Sequence, residues 1–258
     1  MKKNVRLISL FLLLFVLPFL VSACGMGGRD SSRPWNEQRR DTSGLAPDPV
    51  KTREAVIQVY AARAVSWRGI FAVHTWIAVK PKNADRFARY EVVGFGVSET
   101  VSSIRQDRTG PDNYWFGAKP DLILDLRGDS VEALIPKVEA AVASYPYPHE
   151  YTAWPGPNSN TFIAHIARQV PELGLAMPSN AIGKDYLPGG AVFAKAPSDS
   201  GYQVSLFGVL GLMLARDEGI EMNLLGFDLG VGLKPLELKL PGVGGVGLSR
   251  AEAVPAAG

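Results

Sequence analysis

Thiols and imidazoles are scarce in this 258-residue chain, which has one cysteine, Cys24, and three histidines, His74, His149 and His165. One thiol excludes an internal disulfide framework, and three dispersed histidines with no second thiol leave no zinc-ligand spacing. An excess of one charge is lacking as well: 27 basic residues stand against 25 acidic ones, with no polybasic stripe. The electrostatic footprint of a nucleic-acid binder is therefore missing. Gly94-Phe95-Gly96 lacks the further glycine and the helix of a dinucleotide loop, and no phosphate-cradling P-loop string occurs. These absences call for no metal and no cofactor. Long apolar runs are missing too. Residues 7–21 fall short of the ~20 needed to span a bilayer, and residues 204–215 are interrupted by Gly208 and Gly211.

What is present begins at the amino end. Lys2, Lys3 and Arg6 precede the apolar residues 7–21, and Ser22-Ala23 stand directly before Cys24. That is the order of a secretory leader, and Pro18 disfavours a permanent spanning helix. A lipoprotein peptidase needs a small residue before the cysteine, and diacylglyceryl transfer needs the thiol, so Ser22-Ala23-Cys24 resembles the bacterial lipobox. The expectation is a signal peptide over residues 1–23 and a lipidated Cys24. The protein would then be a lipoprotein anchored to a membrane of the bacterial cell envelope, facing the periplasm or the exterior. The competing reading is an ordinary cleaved leader with an incidental cysteine, but a lone exported thiol is a liability. Losing the leader removes three basic residues and leaves 24 basic against 25 acidic in 235 residues, enough for one well-buried domain.

Residues 24–51, rich in Gly, Arg, Asp, Ser and Pro, read as a tether reaching on the order of 30 Å from the membrane, with Trp35 a candidate first packed residue. Residues 52–200 form the expected main domain, 201–248 a C-terminal β extension of it, and 249–258 a tail. Runs at 55–63 and 71–80 are β-rich, broken at Trp67-Arg68-Gly69. In the second, Val73, Thr75, Ile77 and Val79 alternate with His74, Trp76 and Ala78, so His74 and Trp76 share a face. Further strands are expected at 89–97, 113–116 and 121–127. A helix follows Gly128, capped by Asp129 or Ser130 and delayed or kinked by Pro136. Its core face is Val131, Leu134, Ile135, Val138 and Val142. A second helix is expected at 161–170. Residues 202–240 return to β structure, with a turn at 216–219, residues 204–215 as buried sheet and Leu236, Leu238 and Leu240 on the buried side of a strand. The fold class is α+β, an antiparallel sheet packed on helices.

Two segments stand out together, Val73-His74-Thr75-Trp76-Ile77 and Trp154-Pro155-Gly156-Pro157-Asn158-Ser159-Asn160-Thr161-Phe162. Over residues 55–178 this pattern resembles the circularly permuted papain-like hydrolases, of the desumoylating-isopeptidase and NlpC-related types. In that group a histidine on an early strand pairs with a cysteine inside Asn-Cys-Asn-x-Phe at a helix start. His74 matches the histidine, and Ser159 occupies the place of the cysteine. The resemblance implies a permuted papain-like domain with Ser159 and His74 as candidate catalytic residues and Glu91 as a candidate orienter. Asn158, Asn160, Trp154 and Trp76 would flank the cleft as candidate binding residues. Across its full length the chain also resembles a bacterial lipoprotein family catalogued as a domain of unknown function, which supplies no activity.

The exchange of cysteine for serine matters physically. A thiolate is stabilised by a helix N-terminus and an imidazolium, whereas a serine needs a well-oriented histidine as general base throughout. Ser159 is equally well explained as a helix cap, flanked by asparagines able to do the same. His74 beside Trp76 is equally well a satisfied core histidine. Two functions therefore stand side by side. One is an envelope protein that binds or scaffolds a cell-envelope polymer or protein. The other is a Ser159/His74 amidase or esterase acting on envelope peptide, lipid or protein linkages.

Overall fold

Five runs of β-branched and aromatic residues pair into an antiparallel sheet: β1 (Val56–Arg63), β2 (Val73–Lys80), β3 (Ala88–Val92), β4 (Ile104–Gln106) and β5 (Asp121–Arg127). Their order is β4-β3-β2-β1-β5. The computed structural model describes Arg6, residues 9–25 and residues 34–247. Lys2 and Lys3 of the leader, the 26–33 part of the expected tether and the 249–258 tail lie outside the described residues. The fold is α+β.

β1 and β2 are joined through a 3-10 turn at Ser66–Ile70, at the expected break, with Tyr60 opposite Trp76 and Ala62 opposite His74. Every residue of β2 is buried, so both faces of this sheet are covered. The expected strand at 113–116 is not one: Asn113 bridges Thr42 and Trp115 bridges Ala118, each in isolation. That segment is a covering loop whose partner lies 71 positions upstream, a pairing no local pattern reveals. The edge strand β4 carries only Ile-Arg-Gln, too short and polar to have been signalled.

Strand alternation divides the sheet's surroundings. Ile57, Val59, Val73, Ile77 and Val79 meet the helices, numbered here after the amino-terminal α1 (Leu17–Gly25): α2 (Asp129–Glu132), α3 (Ile135–Ala143) and α4 (Ser159–Gln169). The expected first helix is split, because Pro136 can occupy the first turn of α3 but not a helix interior. Asp129 and Ser130 lie inside α2 and do not cap it. Phe162, Ile163 and Ile166 of α4 are fully buried against the strands.

The opposite face buries Tyr60, Trp76 and Ala78 beneath Trp115, Leu122, Leu45 and Phe87. Asp112 holds an upstream strap in place: it accepts hydrogen bonds from Thr42 Oγ1 at 2.8 Å, Ser43 Oγ at 3.1 Å and the Leu45 amide at 2.7 Å. The later part of the 24–51 segment is thus packed onto the domain.

A second sheet is a seven-stranded meander, β6 (Phe193–Lys195), β7 (Gly201–Leu206), β8 (Leu210–Ala215), β9 (Gly219–Leu224), β10 (Phe227–Leu233), β11 (Leu236–Leu240) and β12 (Gly244–Gly247), each strand beside its sequence neighbours. The turn between β8 and β9 lies where Arg216-Asp217-Glu218-Gly219 placed it. Its polarity is the reverse of the expectation. Gln203, Ser205, Glu221, Asn223, Asp228 and Lys239 are buried, whereas Leu212, Leu214, Leu236 and Leu238 are exposed. Residues 204–215 are therefore buried on one face only, with Ser205, Met213 and Ala215 pointing inward and the leucines outward, because the inward side of the neighbouring strands is held by a charged cluster described below. At the amino end, Phe19 of α1 lies 5.0 Å from both Phe71 and Phe227, and Ser22 Oγ donates to the Ile70 carbonyl at 2.7 Å. Among the described residues, no helix is long and apolar enough to cross a membrane.

Candidate functional site

The Asn-Ser-Asn-Thr motif opens α4, and its side chains are consumed by structure. The cap is Asn158, not Ser159: Asn158 Oδ1 accepts from the amides of Asn160 at 2.9 Å and Thr161 at 3.2 Å, while Thr161 Oγ1 accepts from the Asn158 amide at 3.1 Å. This reciprocal capping box satisfies amides that a helix start otherwise leaves unpaired. Asn158 Nδ2 also donates to the carbonyls of Ala153 at 3.2 Å and Ile182 at 3.0 Å. Gly183 makes room for it. Its φ is +101°, and a Cβ there would lie 2.4 Å from Asn158 Nδ2. Asn160 ties the helix to β2, donating to the carbonyls of Val73 at 3.0 Å and Ile182 at 2.7 Å and accepting from Thr75 Oγ1 at 2.9 Å. Ser159 is buried, its carbonyl receives Thr75 Oγ1 at 3.3 Å, and its hydroxyl has no hydrogen-bond partner among the described residues.

His74 has a different set of partners. Its Nε2 lies 2.9 Å from Glu91 Oε2, so the carboxylate nominated as orienter and the imidazole do meet. Arg89 Nη2 donates to the same oxygen at 2.9 Å, and Arg89 Nη1 donates to the Gly110 carbonyl at 3.0 Å. The guanidinium lies over the Trp76 ring at 4.1 Å, and Trp76 Nε1 donates to the Pro111 carbonyl at 2.7 Å. The indole of Trp115 stacks flat on the imidazole, with centroids 3.7 Å apart and planes within 9°. Arg89 escaped the sequence reading, whereas Trp115 was among the aromatics expected near the cleft. The alternation of Arg89 and Glu91 with core residues Tyr90 and Val92 on an otherwise apolar strand was the available signal.

Electrostatics fix the protonation of this group. Burial disfavours the imidazolium more than Glu91 favours it, so the His74 pKa falls below its ordinary value and the ring is neutral at neutral pH. Burial also opposes ionisation of Glu91, but the hydrogen bond to His74 and the charge of Arg89 prevail and hold its pKa at about 2. An ionised carboxylate only accepts, which assigns the imidazole proton to Nε2.

Sheet geometry separates His74 from Ser159. Thr75 and Val73 contact the start of α4, and in a strand the intervening residue points to the other face. The contacts of His74, to Glu91, Trp76 and Trp115, all lie on that other face, and no hydrogen bond links His74 to Ser159. Of the proposed binding residues, Asn158 and Asn160 belong to the α4 cap, and Trp76 belongs to the His74 face. Trp154 is half exposed at the second sheet, where its Nε1 donates to the Leu225 carbonyl at 2.8 Å.

A charged cluster beneath the second sheet was missed altogether. Lys184 Nζ, fully buried, contacts Glu221 at 2.6 Å, Asp228 at 2.9 Å and Asp185 at 3.1 Å, and Lys239 pairs with the other oxygen of Glu221. Burial alone would lower the Lys184 pKa, but the three carboxylates overcome it and the ammonium persists. Burial likewise opposes ionisation of Glu221, yet the two lysines depress its pKa, whereas burial and the Asp185 charge raise that of Asp228. Single charges at alternate positions of Leu-rich strands marked these residues, but the same pattern ordinarily marks a solvated face.

The family described as protein of unknown function, DUF3750, matches the chain over residues 54–186. No curated protein and no solved structure matches it.

Proposed function

The chain belongs to the DUF3750 family, whose description assigns no activity, and on that premise we propose a lipid-anchored cell-envelope protein that binds or scaffolds rather than hydrolyses. The observation carrying this reading is the placement of His74. The imidazole is stacked, buried and bonded to Glu91 on one face of the five-stranded sheet, while Ser159 opens the helix on the other. A serine nucleophile requires its base within about 3 Å, so this arrangement favours a structural use of both residues. The order of strands and helices, with a histidine on β2 and Asn-Ser-Asn-Thr-Phe opening α4, supports a permuted papain-like ancestry for residues 55–178. Anchoring at Cys24 is supported by the leader pattern and by the exposure of that thiol at the end of α1.

The Ser159/His74 amidase or esterase remains the competing reading, and the His74–Glu91 pair favours it, since a carboxylate on Nε2 leaves Nδ1 as a base. Fluorophosphonate labelling of the full chain in its membrane fraction separates the two. No Ser159-dependent labelling is expected; labelling abolished by both Ser159→Ala and His74→Ala would overturn the binding reading. Metabolic labelling with radioactive palmitate tests the anchor: the wild type should take up label and Cys24→Ala should not.

A further inference from the structure

We propose that the outer face of the seven-stranded sheet rests on the surface of a phospholipid bilayer, an inference that builds on anchoring at Cys24. From β7 to β12 the register aligns outward side chains in rows, such as Tyr202, Leu214, Ile220, Val231, Leu238 and Val246, with no charge among them; Lys195 on the edge strand β6, opposite Tyr202, puts a charge at the rim of that face. Each of these six is between 40% and 55% exposed. A soluble antiparallel sheet with one open face puts its polar residues outward. Here they point inward, into the Lys184 cluster, and the apolar residues point out.

Three observations choose the occupant. The first is apolar surface that processing uncovers. In the unprocessed chain Phe19 of α1 packs on Phe71 and on Phe227, which shares the outer face of β10. Cleavage before Cys24 removes Phe19 and leaves both rings uncovered at the edge of the apolar sheet.

The second is reach. Nine residues, ten chain steps, separate Cys24 from Pro34, where the described domain resumes. Fully extended, those steps span at most about 35 Å. The anchor thus keeps the domain within a molecular radius of the membrane.

The third is chemistry. Among its side chains the face offers the Tyr202 hydroxyl and the Lys195 ammonium, both at the β6–β7 rim, as hydrogen-bonding groups, whereas protein interfaces carry about ten hydrogen bonds. A depression of about 310 Å³ on it, lined by Val231, Leu236, Leu238 and Val246 with Glu237 at its wall, is suited to acyl chain rather than to polar ligand.

The single native cysteine makes the test clean. Nitroxide is attached at Leu214→Cys or Val231→Cys in the full processed chain, reconstituted in phosphatidylethanolamine–phosphatidylglycerol vesicles. If Cys24 is acylated, only the introduced thiol reacts. The expected result is a label readily reached by oxygen and shielded from a water-soluble nickel chelate, with the ratio several-fold above that at Glu150→Cys on the open surface. Free access of nickel at both sheet positions would overturn the proposal, and so would shielding from both reagents with spin–spin broadening, the signature of a second copy. Nitroxide uptake by the wild type would instead show an unmodified Cys24 and sink the anchor. The same accessibility ratios, read in Cys24→Ala, would then decide the sheet face separately.

Discussion

Replacing Lys184 with methionine removes the cation that, alone among the described residues, touches all of Asp185, Glu221 and Asp228. Methionine fills similar volume, so the loss is chiefly electrostatic. Glu221 keeps Lys239 as a partner, but Asp228 loses its cation inside a fully buried site. Breaking a buried ion pair from one side costs roughly 3–5 kcal/mol, a large part of the 5–15 kcal/mol that about covers a domain's stability. At roughly 2–4 °C per kcal/mol for a chain of this size, the midpoint should fall by about 6–20 °C. The pH dependence has a definite sign. In the wild type the folded pKa of Glu221 is depressed, so its contribution exists above the ordinary carboxylate range and is lost as pH falls through the folded value. Without Lys184, burial dominates and the carboxyls are raised, so the folded variant binds more protons than the unfolded chain and regains stability on acidification. Urea denaturation across mildly acidic to neutral pH measures both effects. A loss under about 1 kcal/mol, or one that deepens as pH falls, would refute the reasoning.

Two further outcomes test the other sites. Asn158→Ala should cost about 2–4 kcal/mol, because it removes a buried cap and strands the Ala153 carbonyl, while the Ile182 carbonyl keeps Asn160 as a donor. Ser159→Ala should stay within about 0.5 kcal/mol, its hydroxyl being unpartnered; equal thermal shifts for the two variants would contradict the capping assignment. Glu91→Gln should cost roughly 3–5 kcal/mol by leaving Arg89 buried without its carboxylate. In the wild type, the stability due to Glu91 is present above its unfolded pKa and is lost as pH falls towards about 2. Denaturation curves in that acid range should lose this component of their slope in the variant.

Local pattern was a good guide wherever neighbours in sequence are neighbours in space. β5 at Asp121–Arg127 and the β8–β9 turn were legible because alternation and turn chemistry are short-range. The His74–Glu91 meeting was legible because both residues sit at outward positions of paired strands. The strap over Asp112 was not, since its acceptors and donors lie about 70 residues apart. Ser159 was read as a possible cap, yet Asn158 took the role because Gly183, brought in from a distant loop, leaves space for the larger amide.

The leader pattern, the single thiol, the α+β class and the positions of most strands and helices are properties of sequence alone, because composition and periodicity act within one turn or one strand. Which face each strand shows to solvent is a tertiary matter. Alternation states that two faces differ, and it cannot say which is inside. Packing decided that Thr75 meets α4 while His74 turns away from it, and that Lys184 draws Glu221 and Asp228 inward. The burial of those charges leaves the leucines of the second sheet facing out.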